Sequence, residues 1–175
     1  RGPDHKGGVN SYQQVKRDLK PLLNDKSVDI VTTMIDYYAI PSNFPGFDTR
    51  PPGTCYERVE HMENHFCTDI SHTKFFPYLQ LHEFEALVFA SEEKLSTAFI
   101  NLQAKLAQVS VINKLFASPE EINENPDSAP SKRLKGIFPG YQKIFHSQLI
   151  LSQVSVEDLR AKCRHFNSWL TKLEN

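Results

Sequence analysis

The sequence predicts an α/β domain in which a short parallel sheet is flanked by helices and the C-terminal half is mainly helical. Two apolar segments rich in β-branched and aromatic residues, 28–36 and 75–81, carry the sheet prediction. Helical spacing of apolar residues recurs between and after them. A chain of 175 residues can bury a substantial core. We therefore expect a single domain over 1–175, with a sheet-forming part at 1–90 and a helical part at 91–175.

Composition is that of an ordinary globular protein, with 39% hydrophobic and 23% charged residues. The sequence has no run of about 18 apolar residues, so we expect no membrane-spanning helix. A formal net charge of -1 gives no overall attraction to nucleic acid, so contact with nucleic acid would need a local basic patch. The three cysteines are odd in number and form no C-x-x-C pair, which indicates a reducing compartment and a cytoplasmic protein.

The N-terminal segment predicts a loop followed by a capped helix. Turn-forming residues dominate 1–8 and few strand segments follow, so we expect that an N-terminal strand of the sheet is missing from this chain. Ser11 and Gln14 form a capping box at the start of the helix, which Pro21 is expected to end or kink. The predicted buried face of this helix consists of Tyr12, Val15, Leu19 and Leu22.

The segment 28–36 is the strongest strand candidate, because it is mostly apolar and rich in β-branched residues. It ends at Asp36, and open α/β sheets place their ligands at the C-terminal ends of strands. Asp36 is therefore predicted to hold Mg²⁺, which prefers oxygen ligands. The alternative is that Asp36 caps the proline-rich loop that follows, at 37–53.

The rest of the chain supplies a second strand and a series of helices. Pro77 restricts the strand candidate 75–81 to a sheet edge or shortens its start. The strand is expected to end near His82, where a short helix begins. The other predictions are a helix capped by Thr54 and Glu57 with Cys55, Val59, Met62 and Phe66 buried, a turn capped by Ser91, and helices at 99–116, from 118, from Ser131, at 141–151 and at 156–173.

His82, Glu83 and Glu85 place three ionisable groups within an apolar stretch, which is costly unless they are paired or bind a ligand. In strand geometry Glu83 and Glu85 point to the same side, whereas in helix geometry His82 and Glu85 share a face. The cluster predicts either a metal site or a buried group of salt bridges. It is not the zinc protease motif, because Ala86 stands where the second histidine would be.

Two further groups have weaker patterns. The basic run 131–135, which includes Lys132, follows a proline-bounded loop and either binds phosphate at a helix N-terminus or forms a solvated face. His61 and His65 lie one helical turn apart near two cysteines, but the spacing matches no standard zinc module. These histidines are more simply surface residues of an amphipathic helix.

Segments spread over essentially the whole chain carry a resemblance to a known family. They are GGVNSY at 7–12, TMIDYY at 33–38 with the following Pro41 and FPG at 44–46, PYLQLHEFEAL at 77–87, APSKR at 129–133 and CRHFNSWL at 163–170. As a set they resemble a bacterial domain-of-unknown-function family that is described as TOPRIM-like.

This resemblance implies a TOPRIM-like, Rossmann-like sheet and Mg²⁺- or Mn²⁺-dependent cleavage of nucleic acid. The family is similar to the nuclease half of OLD-type proteins, and its members are often encoded beside ABC- or AAA-type ATPases in settings of anti-phage defence. The implied metal ligands in this chain are Asp36 and one of the two later glutamates, either Glu83 or Glu85. Lys132 and His82 are the implied catalytic residues, and nucleic acid and an ATPase are the implied partners.

Two positions depart from the family pattern. The acidic Glu-Gly-x-Thr-Glu motif of the family's N-terminal strand is absent, and the usual Asp-x-Asp is here Asp36-Tyr37-Tyr38. A two-metal site needs enough anionic ligands, and both departures remove carboxylates. The alternative function is therefore a non-catalytic interaction module that docks an ATPase partner or nucleic acid and uses its acidic cluster structurally.

Overall fold

The structure is a computed structural model that describes residues 9–99, 103–122, 125 and 127–175. It is a mixed α/β structure with many helices and a few short strands, so the predicted α/β class and the helical C-terminal half are confirmed. The chain divides into two compact units, one that ends at Gln80 and one that begins at Leu81. Among the described residues, no helix combines the length and the apolar character needed to cross a bilayer.

The described residues of the first unit form two helices and two parallel pairs of short strands. Its helices are α1 (Tyr12–Asn24) and α2 (Cys55–Ile70), and its strands are β1 (Val31–Thr32), β2 (Ile35–Asp36), β3 (Phe75–Phe76) and β4 (Leu79–Gln80). Strand β1 pairs with β3, and β2 pairs with β4. The predicted continuous strand 28–36 is thus shorter than expected and interrupted. A larger Rossmann-like sheet stays a prediction.

A side-chain contact of Thr33 bridges the interruption between the two strand pairs. Both pairs share one register, with Val31 opposite Phe75 and Ile35 opposite Leu79, so the two segments run side by side throughout. Pro77 lies opposite the gap, but its nitrogen faces away from 31–36, because the backbone groups of the even-numbered residues 74, 78 and 80 face that segment. At the gap, the hydroxyl of Thr33 accepts a hydrogen bond from the N–H of Tyr78 and lies 3.1 Å from the Tyr78 carbonyl oxygen. The threonine side chain therefore replaces the missing backbone contacts.

Helix α1 begins as predicted but ends differently. Ser11 caps it by accepting a hydrogen bond from the N–H of Gln14. Pro21 does not end the helix, which continues to Asn24. The proline lies at an exposed position, where water can replace the hydrogen bond that it cannot donate. The predicted buried face is correct except for Leu22, which is 49% exposed in the last turn.

The core of the first unit is built around α2 and four aromatic rings. Thr54 and Glu57 form the predicted capping box, and the predicted face of α2 is buried. Edge-to-face contacts with ring centroids 4.8–5.7 Å apart join the rings of Tyr12, Phe44, Phe66 and Phe75. Because Phe44 belongs to the predicted loop, the loop is partly anchored in the core.

The second unit is helical. Its helices are α3 (Glu85–Ala90), α4 (Gln103–Lys114), α5 (Pro130–Ile137), α6 (Lys143–Leu151), α7 (Val156–Lys162) and α8 (Arg164–Glu174), with 3₁₀ segments at Glu92–Thr97 and Pro119–Glu121. Its core consists mainly of Val88, Phe89, Leu95, Val109, Ile122, Leu134, Ile137, Phe138, Tyr141 and Ile150.

Three helix predictions for this unit need correction. The predicted helix from 118 is a single 3₁₀ turn, which ends where Ile122 adopts an extended conformation. The predicted helix 156–173 is two helices, because Cys163 is extended and Glu120 accepts hydrogen bonds from the first turn of α8. Ser91 does not cap the turn that follows it, because its hydroxyl donates to the carbonyl oxygen of Leu87. In the predicted helix 99–116, residues 100–102 lie outside the described residues.

Candidate acidic site

Asp36 lies at the end of its strand, as the sequence predicted. It is the last residue of β2, pairs with Gln80 in the register of the sheet and is half-buried. The N–H of the next residue, Tyr37, donates to the carbonyl oxygen of Gln80 over 2.9 Å. Asp36 therefore occupies the strand-end position of the first unit, and its role as a metal ligand stays a prediction.

Glu83 and Glu85 form a cluster with Ser131 and Lys143 in the second unit, which we call the acidic site. Glu83 is buried, and its Oε2 accepts a hydrogen bond from the N–H of Ser131 over 2.9 Å. The hydroxyl of Ser131 donates to Glu83 Oε1 over 3.0 Å. Ser131 lies in the first turn of α5, so the Glu83 carboxylate takes the place of an N-cap side chain.

The prediction that Ser131 caps the helix is wrong. Helix α5 begins one residue earlier, at Pro130, with Ala129 at the N-cap position and no side-chain cap from Ala129. Proline is well suited to the first helical position, because its N–H would have no partner there. The serine is consequently a donor to a distant carboxylate rather than a local cap.

Glu85 is the most buried member of the acidic site. It is the first residue of α3 and its side chain is 0% exposed. Its Oε2 lies 2.8 Å from the Nζ of Lys143, and its Oε1 has no hydrogen-bond partner among the described residues. Burial raises the pKa of Glu85, and Lys143 opposes that effect only in part. Glu85 thus combines a high cost of burial with unused acceptor capacity.

Lys143 links the two carboxylates. It is the first residue of α6, and its Nζ lies 3.9 Å from Glu83 Oε1 in addition to the contact with Glu85. Its side chain is 43% exposed, whereas both carboxylates that it contacts are buried. A groove of about 440 Å³ lies beside it on α6, lined by Gln142, Lys143, Ile144, Phe145 and Gln148.

His82, which directly precedes the two glutamates, has an unusual backbone conformation. His82 is buried and has a left-handed conformation, with a φ of 58°. This conformation is uncommon for a residue other than glycine, although histidine adopts it more readily than most. Of the two arrangements that the sequence allowed, the pairing of Glu83 with Glu85 is the one that converges on a common partner. The catalytic role of His82 stays a prediction.

Tyr141 extends the buried surroundings of the acidic site. Its hydroxyl lies 2.7 Å from the hydroxyl of Ser147, and both side chains are buried. Burial raises the pKa of Tyr141, and the charges of Glu85 and Glu83 raise it further. The tyrosine is therefore a neutral hydroxyl close to the two carboxylates at any ordinary pH.

The basic run on α5 divides into a packed and an exposed part. Arg133 donates through Nε to the carbonyl oxygen of Ser128 over 2.7 Å, and its guanidinium lies 5.7 Å from the ring centroid of Phe116. Lys132 and Lys135 are exposed. Arg133 is therefore largely structural, and the predicted phosphate contact of Lys132 is compatible with its exposure but stays a prediction.

The residues described within either unit include no group of three or more His, Cys, Asp or Glu side chains that could hold a metal ion. The rings of His61 and His65 are 4.4 Å apart, and His61 Nε2 lies 2.9 Å from the hydroxyl of Thr49. The histidine pair is therefore better described as part of the polar surface of α2. Any metal at the acidic site would have two protein carboxylates and would take its other ligands from water or substrate.

Lys143 and two buried glutamates were missed by the sequence reasoning. Lys143 occurs at an unremarkable helix start, and no local pattern links it to Glu85. Glu120 is fully buried and accepts hydrogen bonds from the N–H groups of His165 and Phe166, each over 2.9 Å. Glu63 accepts from the N–H of Leu79 over 2.7 Å. The sequence marks Glu63 and Glu120 only as glutamates that neighbour apolar residues.

Comparison with known proteins gives one result. The family model "Domain of unknown function (DUF4276)" matches residues 3–174. The chain belongs to this family. The predicted membership in a domain-of-unknown-function family is thereby confirmed, whereas the TOPRIM-like and OLD-type relationships of the DUF4276 domain stay predictions. Neither the curated proteins nor the solved structures provide a match.

Proposed function

We propose that this DUF4276 domain is a Mg²⁺- or Mn²⁺-dependent nuclease whose metal is held by Glu83 and Glu85. The observation that carries the proposal is the fully buried Glu85, whose Oε1 has no hydrogen-bond partner among the described residues. Burying a carboxylate with unused acceptor capacity is costly, and a cation would offset that cost. The family resemblance supplies the reaction class.

The residues of the acidic site fit a single magnesium or manganese ion. Magnesium in phosphoryl-transfer sites commonly uses one or two protein carboxylates, and water and substrate phosphate complete its octahedron. Each carboxylate oxygen has two acceptor positions, so the hydrogen bonds from Ser131 leave capacity on Glu83. The same contacts hold Glu83 in a fixed orientation, which is what a ligand of defined geometry requires.

Each residue has a distinct task in this proposal. Bound metal would supply an activated water and stabilise the charge that develops on the phosphate. Glu83 is oriented by Ser131, and Glu85 provides a carboxylate that is already desolvated. Lys132, which is exposed on α5, would contact a phosphate of the substrate, and His82 is the candidate for proton transfer. Asp36, in the first unit, is a separate candidate ligand.

The test is Mn²⁺-dependent cleavage of supercoiled plasmid and of single-stranded DNA. The wild type is compared with Glu85→Gln, Asp36→Asn and the control Glu93→Gln, which changes an exposed glutamate that pairs with Lys162. Cleavage that is lost in Glu85→Gln and kept in Glu93→Gln would support the metal site. The Asp36 variant decides independently whether that residue takes part. The nuclease proposal would be refuted if the wild type cleaved neither substrate, even after addition of an ATPase encoded beside its gene.

A second function, the interaction module, is favoured by a specific observation. Lys143 and Ser131 already provide Glu83 and Glu85 with partners, as expected of an acidic cluster that only stabilises the fold. On α6, Ile144 is 75% exposed and Phe145 is 60% exposed, and exposed apolar residues side by side commonly mark a binding surface. Loss of ATPase binding in Phe145→Ser, in a protein that cleaves no DNA, would establish this function instead.

A further inference from the structure

The Lys143 ammonium group lies where a divalent cation bound by Glu83 and Glu85 would lie. Its Nζ is 2.8 Å from Glu85 Oε2 and 3.9 Å from Glu83 Oε1, so a single cationic group contacts both carboxylates. A divalent cation held by these two glutamates would need the same position. The ammonium group and the metal therefore compete for one set of oxygens.

We propose that Lys143 is a tethered cation that a divalent metal ion displaces, so that the metal binds the acidic site by exchange with the lysine. This inference rests on the proposed function, since it concerns the same metal site. Under this exchange, Lys143 sets the affinity of the acidic site for the metal ion. Its side chain leaves the two carboxylates when the metal binds.

Two features make the exchange physically feasible. Lys143 is the first residue of α6 and its side chain is 43% exposed, so its flexible stem can move without disturbing a packed core. The groove of about 440 Å³ beside it, lined by Gln142, Phe145 and Gln148, gives the stem a partly apolar surface to lie against. The released ammonium group would be rehydrated there at little cost.

Glu85 shows why the lysine is an incomplete partner. An ammonium group at 2.8 Å from Oε2 leaves Oε1 without a hydrogen-bond partner among the described residues. A divalent ion carries twice the charge and can bring water molecules that donate to the remaining oxygen. The exchange therefore replaces a single-charge partner by one that uses more of the carboxylate's capacity.

The exchange is tested by calorimetric titration of the full chain with Mn²⁺. Lys143→Met keeps the apolar stem and removes the competing charge, and Lys135→Met removes an exposed lysine of α5 as the matched control. We expect Lys143→Met to bind Mn²⁺ at least about tenfold more tightly than the wild type. A tenfold change corresponds to only part of the interaction energy of a short ion pair at a partly buried site. Lys135→Met should match the wild type.

A second measurement on the wild type does not depend on how well a variant folds. The rate at which an amine-acylating reagent modifies Lys143 is followed by peptide mass spectrometry with and without Mn²⁺. Exchange predicts that Mn²⁺ accelerates modification of Lys143, because the amine leaves the carboxylates, and leaves Lys135 unchanged. A purely structural salt bridge would give no acceleration.

The outcomes separate the two proposals. Equal Mn²⁺ affinity in the wild type and Lys143→Met, with no change in acylation, overturns the exchange and leaves the metal site standing. Absence of Mn²⁺ binding in both proteins at millimolar metal overturns the exchange and the metal-dependent function together. Tighter binding in Lys143→Met that disappears in the double variant Lys143→Met/Glu85→Gln supports the exchange.

Discussion

Two buried glutamates of the second unit, Glu85 and Glu120, differ in how their charge is satisfied. Both are 0% exposed, and burial raises the pKa of each. Glu120 accepts two backbone hydrogen bonds at the start of α8, one on each oxygen. Glu85 has one half-exposed ammonium partner on Oε2 and no hydrogen-bond partner on Oε1 among the described residues. Burial alone therefore does not distinguish the two carboxylates, whereas their hydrogen-bond partners do.

The largest expected effect is on stability when each glutamate is replaced by alanine. Glu120→Ala leaves two buried N–H groups at the start of α8 without their acceptor, whereas Glu85→Ala releases a lysine that water can reach. We expect Glu120→Ala to lower the free energy of unfolding by about 2 kcal/mol more than Glu85→Ala does. Urea denaturation of both variants measures the difference. Equal losses of unfolding free energy in the two variants would show that Glu85 and Glu120 stabilise the fold to the same extent, and would contradict the difference proposed between them.

The pH dependence of stability sharpens the same comparison. Both folded-state pKa values are raised above the ordinary glutamate value of 4.5, so the folded state binds protons more tightly above that pH. The stability that these groups contribute is complete below pH 4.5 and is lost as the pH rises through their folded pKa values. The slope is at most about 1.4 kcal/mol per pH unit for each group.

Urea midpoints measured across the acidic range, for the wild type and for Glu85→Gln/Glu120→Gln, isolate this contribution. The difference in stability should move in favour of the double variant as the pH rises. The pKa of Asp69 is lowered, mainly by its hydrogen bond with Lys16, so its contribution to stability increases as the pH rises. Because Asp69 is present in both proteins, this contribution cancels in the difference. A difference that is constant with pH would contradict the raised pKa values.

The smallest effect concerns the link between Glu83 and α5. Ser131→Ala removes the hydroxyl that donates to Glu83 Oε1 but keeps the backbone N–H that donates to Oε2. We expect a loss of about 1.5 kcal/mol in the free energy of unfolding, the lower end of the range for a hydrogen bond to a charged group, because Glu83 keeps the backbone donor. Ser152→Ala, which removes an exposed hydroxyl at the end of α6, is the control and should change stability by less. Thermal unfolding of both variants distinguishes them.

Local chemistry decided which parts of the fold could be predicted from the sequence. The capping pair Thr54 and Glu57 fixed the start of α2, and the β-branched run placed Asp36 at a strand end. The acidic site was predicted only in part, since Glu83 and Glu85 were named and Lys143 was not. Local patterns report on neighbours within a few residues, whereas Lys143 and Ser131 reach the glutamates through the tertiary packing of α3, α5 and α6.

The same limit explains the errors at Ser131 and in the strands. A serine after a proline-containing loop has the signature of a local cap, and nothing nearby indicates that a carboxylate from another segment serves instead. The strand 28–36 is interrupted at Thr33 and Met34, where the hydroxyl of Thr33 contacts the backbone of Tyr78. That contact involves a residue of another segment, which the pattern within 28–36 does not indicate.

The parallel pairing of 31–36 with 75–80 also bears on the kinetics of folding. A parallel pair cannot be closed by a tight turn, and here the connection includes the whole of α2. The chain must therefore lose the entropy of closing a long loop before any strand contact forms, whereas the capped helix can form from local contacts alone. We expect an early helix and a late sheet in the first unit, so its rate of folding is set by the docking of 75–80.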